Sequence, residues 1–133
     1  MATFTFELVS PERVLFSGPV SQVVVPGAEG DMAILANHAP VMTVLRSGIV
    51  AVSEDKGATR RLFVAGGFAD ATAKGLTILA ERAIPVEEIN AEAVAAEMRD
   101  AEEDIRDAKS DDAREAGLAR LESLKAMLAA VRH

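Results

Sequence analysis

Residues 76–105 read LTILAERAIPVEEINAEAVAAEMRDAEEDI, and within them the spacing of apolar residues changes from that of a strand to that of a helix. Leu76 to Ala80 is a short apolar run preceded by the turn signal Lys74-Gly75, and it reads as a strand. Pro85 ends that last strand, because it has no N–H to donate to a ladder. Asn90 is a natural N-cap, with Glu87, Glu88 and Glu92 around the positive end of the helix dipole. From there Val94, Met98, Ala101, Ile105 and Ala108 recur at spacings of 4, 3, 4 and 3, one apolar stripe on a helix.

Downstream the helical reading continues. Arg106 and Lys109 suit a carboxyl end, and Lys109-Ser110-Asp111-Asp112 is a short polar loop whose aspartates can cap a second helix. Leu118, Leu121, Leu124, Leu128 and Val131 then repeat the stripe. Two helices of about 18 residues, each near 27 Å at ~1.5 Å per residue, joined by so short a loop predict an antiparallel hairpin. The stripes read as intramolecular core, although the same faces suit a partner. Gly117 weakens the second helix by about 0.8–1.0 kcal/mol relative to alanine. An alanine-rich stripe buries less area than a leucine one, so the hairpin is expected to be held weakly enough to undock from the body or open.

Upstream the period is two. In residues 3–9, Phe4, Phe6 and Leu8 alternate with Thr3, Thr5 and Glu7, the pattern of a half-buried strand. Further short runs occupy residues 13–16, 20–25, 32–35, 41–45, 49–53, 60–65, 68–71 and 76–80. Turn signals separate them, among them Ser17-Gly18-Pro19, Pro26-Gly27, Glu29-Gly30-Asp31, Ser47-Gly48 and Asp55-Lys56-Gly57. No stretch before Pro85 is long and periodic enough for an amphipathic helix, so parallel βαβ units are not expected. The fold expected is an antiparallel β-sandwich of about ten strands over residues 1–84, then a two-helix hairpin over residues 85–133.

Composition sharpens the division. All five phenylalanines and eight of the nine glycines precede Pro85, whereas thirteen of the twenty-one acidic residues and twelve alanines follow it. Residues 85–112 hold eleven acids against three bases, and residues 113–133 hold two acids against four bases. The net charge of −7, without Trp or Tyr, argues against nucleic acid, whose binding needs phosphate neutralisation and often aromatic stacking. Without Cys there is no disulfide or thiolate site. No run approaches the roughly 20 apolar residues that span a bilayer. The start, MATFTFELVS, lacks the basic and apolar segments of an export signal, so the expectation is a chain that is not exported.

Neither half offers a catalytic constellation or a cofactor motif. His38, in Asn37-His38-Ala39-Pro40, has no nucleophile elbow beside it, and the other histidine is His133. Two distant histidines without Cys lack metal-ligand spacing, so no metal is expected. Glu29 and Asp31 flank Gly30, either as solvated acids at a tight turn or as an exposed contact loop. Gly66-Gly67 follows a strand and marks either a bulge or the close approach of a partner backbone. No Gly-x-x-x-x-Gly-Lys-Ser/Thr is present.

The order of several short pieces is similar to a known family, the epsilon subunit of the bacterial F-type ATP synthase. These pieces are Phe6-Glu7-Leu8-Val9-Ser10-Pro11-Glu12, Phe16-Ser17-Gly18, Pro26-Gly27-Ala28-Glu29-Gly30-Asp31, Asn37-His38-Ala39-Pro40, Leu45 with Gly48, Gly66-Gly67-Phe68 and Thr77-Ile78-Leu79-Ala80. The resemblance implies a non-catalytic rotor subunit whose sandwich binds the gamma subunit and rests on the c-ring. It would couple ring rotation to ATP synthesis by the alpha and beta subunits. It also implies a peripheral location on the cytoplasmic face of the bacterial inner membrane, with membrane association only through the complex.

Carried onto this chain, Glu29, Gly30, Asp31 and the neighbouring His38 resemble c-ring-facing loops, and Gly66 and Gly67 lie in a segment that resembles the gamma-facing side. In some members the hairpin blocks ATP hydrolysis through basic residues of its second helix. Arg114, Arg120, Lys125 and Arg132 suit that part, although such charges are equally expected of any solvated helix. Members that bind ATP on the hairpin carry Ile/Leu-Asp-x-x-Arg-Ala at its start. Here Ile89, Asn90, Ala93 and Val94 stand at the key positions, so the phosphate-meeting arginine is replaced by alanine, and ATP binding is expected to be weak or missing. The competing readings are a regulatory module that senses a small molecule or nucleotide and, third, a small β-sandwich enzyme.

Overall fold

A computed structural model describes residues 2–131 of the chain. The alternation at the amino terminus becomes β1 (Phe4–Val9), with Phe6 and Leu8 fully buried and Thr5 and Glu7 exposed. Eight more strands follow: β2 (Val14–Gly27), β3 (Gly30–Leu35), β4 (Val41–Val44), β5 (Gly48–Glu54), β6 (Thr59–Val64), β7 (Gly67–Thr72), β8 (Gly75–Ala80) and β9 (Ala83–Pro85). They join in the order β4-β7-β8-β1-β2-β5-β6-β9, with β3 pairing β2 beyond β1 on the edge opposite β5.

One strand folds this sheet into two layers. Over residues 14–20 β2 pairs with β1; from Val20 on it pairs with β5, and over residues 22–27 with β3. The runs at 13–16 and 20–25, expected as separate strands, are therefore halves of a single 14-residue strand. Ser17-Gly18-Pro19 is not a turn. Pro19 lies where β2 has only β1 beside it, and a strand with an open edge tolerates a missing donor. The change of partner falls at a bulge between Val20 and Gln22, where the Ser21 hydroxyl donates to Ser53 O at 3.1 Å. Pro26-Gly27 also lies within β2, and the turn to β3 is made by Ala28 and Glu29 alone.

Ladders are antiparallel except for β1 with β8, which pair parallel without an intervening helix. A further difference is β9, which the sequence reading lacked: it pairs with β6, with Pro85 opposite Leu62 at its end. The core between the layers is built from Phe6, Leu8, Val20, Val23, Val25, Val50, Val52 and Ile78, all at 0% exposure. At about 25 cal/mol per Å² of apolar surface removed from water, such side chains each stabilise the fold by roughly 1.5–3 kcal/mol.

The chain divides into two compact units, Met1–Val86 and Glu87–His133. The second holds α1 (Ala91–Arg106) and α2 (Asp111–Val131), of 16 and 21 residues. Asn90 caps α1, its Oδ1 accepting the Ala93 N–H at 3.0 Å. The second cap is Ser110, whose Oγ accepts from Ala113 N at 3.1 Å; Asp111 and Asp112, expected as caps, lie instead in the first turn, where they favour the dipole. The packing stripe of α2 keeps Leu124 buried and Leu121, Leu128 and Val131 half-buried, as expected, but it also buries Gly117, Met127 and Ala130, and Leu118 is 47% exposed. Gly117 sets the stripe, since a Cβ there would stand 2.7 Å from Ile105 Cγ1. The helices meet through this gap, and Leu118, about 100° further round the helix from Gly117, falls outside the packed face.

Candidate functional site

Among the described residues no His, Asp or Glu cluster could hold a metal. Ser10 is the buried polar residue, and its hydroxyl donates to Arg13 O at 3.3 Å within a turn. What the sandwich does display is apolar surface. Val44 (65% exposed), Leu79 (44%) and Phe68 (39%) lie on three adjacent strands. Their registers coincide: Val44 opposes Phe68, Phe68 opposes Leu79, Leu79 opposes Val9, and Val9 opposes Val14. Residues in register share a face, so five apolar side chains form one row, about 19 Å long at ~4.8 Å per strand. Val14 is exposed and Val9 half-buried. The adjacent row, Met42-Asp70-Thr77-Glu7-Ser17, is mostly polar.

These side chains are exposed because their strands carry large residues in the solvent phase. In β7, Ala69 and Ala71 point inward while Phe68 points outward; in β4, Met42 and Val44 are exposed and Thr43 is half-buried. A reading strand by strand missed the row. The inverted phase, alanine inside and phenylalanine outside, was its signal.

Of the residues singled out from sequence, Glu29 belongs to the β2–β3 turn and Gly30 and Asp31 open β3, Gly30 at φ 140. Asp31 is not simply solvated, because Arg46 is paired with it. His38 lies in the β3–β4 connection, its ring edge-to-face with Phe4 at 5.6 Å and its Nδ1 3.4 Å from Ala39 O. The turn and His38 are not neighbours. They sit at opposite ends of six-residue β3, roughly 17 Å apart at ~3.3 Å per residue.

Gly66 and Gly67 have φ of 78 and 115, and a Cβ on Gly67 would fall 2.1 Å from Leu79 O. The close approach that demands glycine is thus to the chain's own β8. Gly67 O also accepts from Leu45 N at 2.9 Å.

In the hairpin, Arg120 follows Gly117 and precedes Leu124 on the packed side of α2, and its Nη1 lies 3.5 Å from Asp104 Oδ2. Arg114 and Lys125 are eleven residues apart, about 20° around the helix at ~100° per residue, so they share one solvent face. Lys125 Nζ lies 3.9 Å from Glu122 Oε1, a long contact. Arg132 lies outside the described residues. At the start of α1, Ile89 and Val94 are buried, Asn90 is occupied as the cap and Ala93 is exposed.

Fold and surface together define a contact module, a β-sandwich with an apolar row on one face, followed in the chain by a helical hairpin. The β-sandwich domain of the ATP synthase delta/epsilon chain matches residues 3–86, and the chain belongs to that family. It is 52% identical over 120 residues to the ATP synthase epsilon chain of Parvibaculum lavamentivorans, covering 90% of this chain and 91% of that one. With the ATP synthase epsilon chain of Maricaulis maris it shares 51% over 128 residues, 96% of each chain. Among solved structures, a chain of the Euglena gracilis mitochondrial ATP synthase (OSCP, F1 and c-ring) matches with a TM-score of 0.83 and 26% identity over 98% of this chain and 82% of that one. A chain of the Tetrahymena thermophila central stalk and c-ring matches at 0.66 with 14% identity over 98% and 97%, a likeness of fold alone.

Proposed function

We propose that this chain is a non-catalytic rotor subunit of the ATP synthase central stalk, and that its sandwich docks the gamma subunit through the row Val44, Phe68, Leu79, Val9 and Val14. The family supports the role, and the row supports the surface. Five aligned apolar residues on a sheet face are costly to leave in water, and they match the apolar centre of a specific interface with its polar rim. The row begins beside Gly66-Gly67, so the gamma-facing segment inferred from sequence is kept, with the glycines shaping the edge rather than touching the partner. A standard interface covers about 800 Å² per partner, so the polar row and neighbouring loops would complete it.

The c-ring is assigned to the turn Glu29-Gly30-Asp31 and to His38, which reach it only if both ends of β3 are used. The hairpin's contact with the alpha/beta head is assigned to Arg114 and Lys125, the two cations sharing a solvent face. Such a subunit works at the cytoplasmic face of a bacterial inner membrane, held there by the complex. The test is binding of the purified chain to the gamma subunit: Phe68→Ala should weaken it roughly tenfold, as loss of a central aromatic anchor does. Undiminished binding by Phe68→Ala and by Val44→Lys would refute the docking surface.

A further inference from the structure

We propose that a second cleft on the sandwich, between the start of β1, the β3–β4 connection and the β7–β8 turn, binds a phosphoryl oxyanion. This goes beyond the rotor role, since it requires no partner subunit. The cleft measures about 510 Å³, within the range of ligand sites, and its polar lining is Thr3, Thr5, Asn37, His38, Thr72 and Lys74. No carboxylate lines it. That absence distinguishes it in a chain with twenty-one acids and a net charge of −7. The clefts beside Phe16, Met42 and Pro11 each carry two carboxylates: Glu54 with Asp55, Glu29 with Asp31, and Glu12 with Glu81.

The local geometry presents hydroxyl and amide groups and one exposed cation, Lys74. Lys74 sits at the tip of the two-residue β7–β8 turn, whose shape is set by the Lys74 N–H donating to Thr72 Oγ1 at 3.1 Å and by Gly75 at φ 142. Gly75 lets the turn close on β1, since a Cβ there would lie 2.3 Å from Thr5 O. Lys74 thereby lines the same cleft as Thr5 of β1 and Thr3 just before that strand. On the other wall Asn37 adopts φ 65, the left-handed conformation that asparagine tolerates, and Phe4 holds the His38 ring edge-on. Hydroxyl, amide and ammonium groups thus line one cleft that no carboxylate lines. Tetrahedral phosphoryl oxygens, with several acceptors and a negative charge, match that set.

Two sources share this chemistry, free phosphate and an anionic lipid headgroup. The full chain, labelled with 15N, is titrated with inorganic phosphate and, at matched ionic strength, with sodium chloride. Expected are saturable shifts in the millimolar range confined to the amides of residues 3–5, 37–38 and 72–75. Lys74→Ala should weaken them roughly fivefold, while Lys56→Ala, at another cleft, leaves them unchanged. Sedimentation with phosphatidylglycerol vesicles against phosphatidylcholine vesicles separates the sources. Lys74-dependent sedimentation with phosphatidylglycerol supports a headgroup; phosphate shifts without it support free phosphate. Shifts equal to those in chloride together with no Lys74-dependent sedimentation, or equal weakening by Lys56→Ala, would overturn the site.

Discussion

Gly67 shows how much a single hydrogen in place of a side chain decides in this sandwich. Its φ of 115 and the 2.1 Å that would separate a Cβ from Leu79 O leave alanine no accommodation, because the obstacle is backbone. Gly67→Ala is predicted to destabilise the chain by about 2–4 kcal/mol, read as a lowered urea midpoint. An unchanged midpoint would show that β7 and β8 do not approach so closely. Gly117 is a different case. Alanine there gains about 0.8–1.0 kcal/mol of helix propensity but meets Ile105 Cγ1 at 2.7 Å. Gly117→Ala is therefore predicted to destabilise the native chain, and to stabilise it by up to ~1 kcal/mol once Ile105→Ala has cleared the space. A change of the same sign in both backgrounds would remove Gly117 from the helix contact. Neither role was readable from the sequence. The Gly66-Gly67 pair gave two open readings because the deciding neighbour, Leu79, is twelve residues away and joined only by sheet pairing.

At the scale of elements, local pattern and local chemistry carried well and partner choice did not. Phe4, Phe6 and Leu8 announced β1 by alternation, and Asn90 announced the start of α1 by its capping side chain. By contrast, β2 was split at Ser17-Gly18-Pro19, since nothing local reveals that one strand serves both layers. The three-residue β9 was missed because it is too short for a period. The expected α2 stripe held at Leu124 and, half-buried, at Leu121, Leu128 and Val131, but packing also took in Gly117, Met127 and Ala130 and left Leu118 exposed, the small Gly117 and Ala130 allowing close approach. The consequence is specific: Leu124→Ala should cost about 2–5 kcal/mol, and Leu118→Ala within about 0.5 kcal/mol. Equal losses in thermal unfolding would restore the stripe expected from sequence. The apolar row illustrates the same limit. Val44, Phe68 and Leu79 are separated in sequence by 24 and 11 positions, and only the registers of β4, β7 and β8 align them.

For the whole molecule, the core cluster of the sandwich draws entirely on residues that precede Pro85, and the apolar row lies in the same unit. Docking and hairpin action are therefore separable. A chain lacking residues 90–133 should still fold, bind the gamma subunit with affinity within about twofold of the full chain, and remain with the reconstituted complex. The proposed regulation falls to the hairpin: its α2 offers Arg114 and Lys125 on one face, while in the stretch Ile89, Asn90, Ala93 and Val94 an alanine stands where the resemblance to ATP-binding members puts the arginine. Truncation should accordingly raise ATP hydrolysis by the complex, and Arg114→Ala with Lys125→Ala in the full chain should reproduce most of that rise. ATP added to the isolated chain should give no saturable heat at micromolar concentrations. Arg120→Ala separates inhibition from hairpin integrity, since Arg120 meets Asp104 within the hairpin and its loss should alter hydrogen exchange of α1 and α2. If the truncated chain left the complex, or if Arg120→Ala alone matched the double variant with unaltered exchange, the division between a docking sandwich and a regulating hairpin would be wrong.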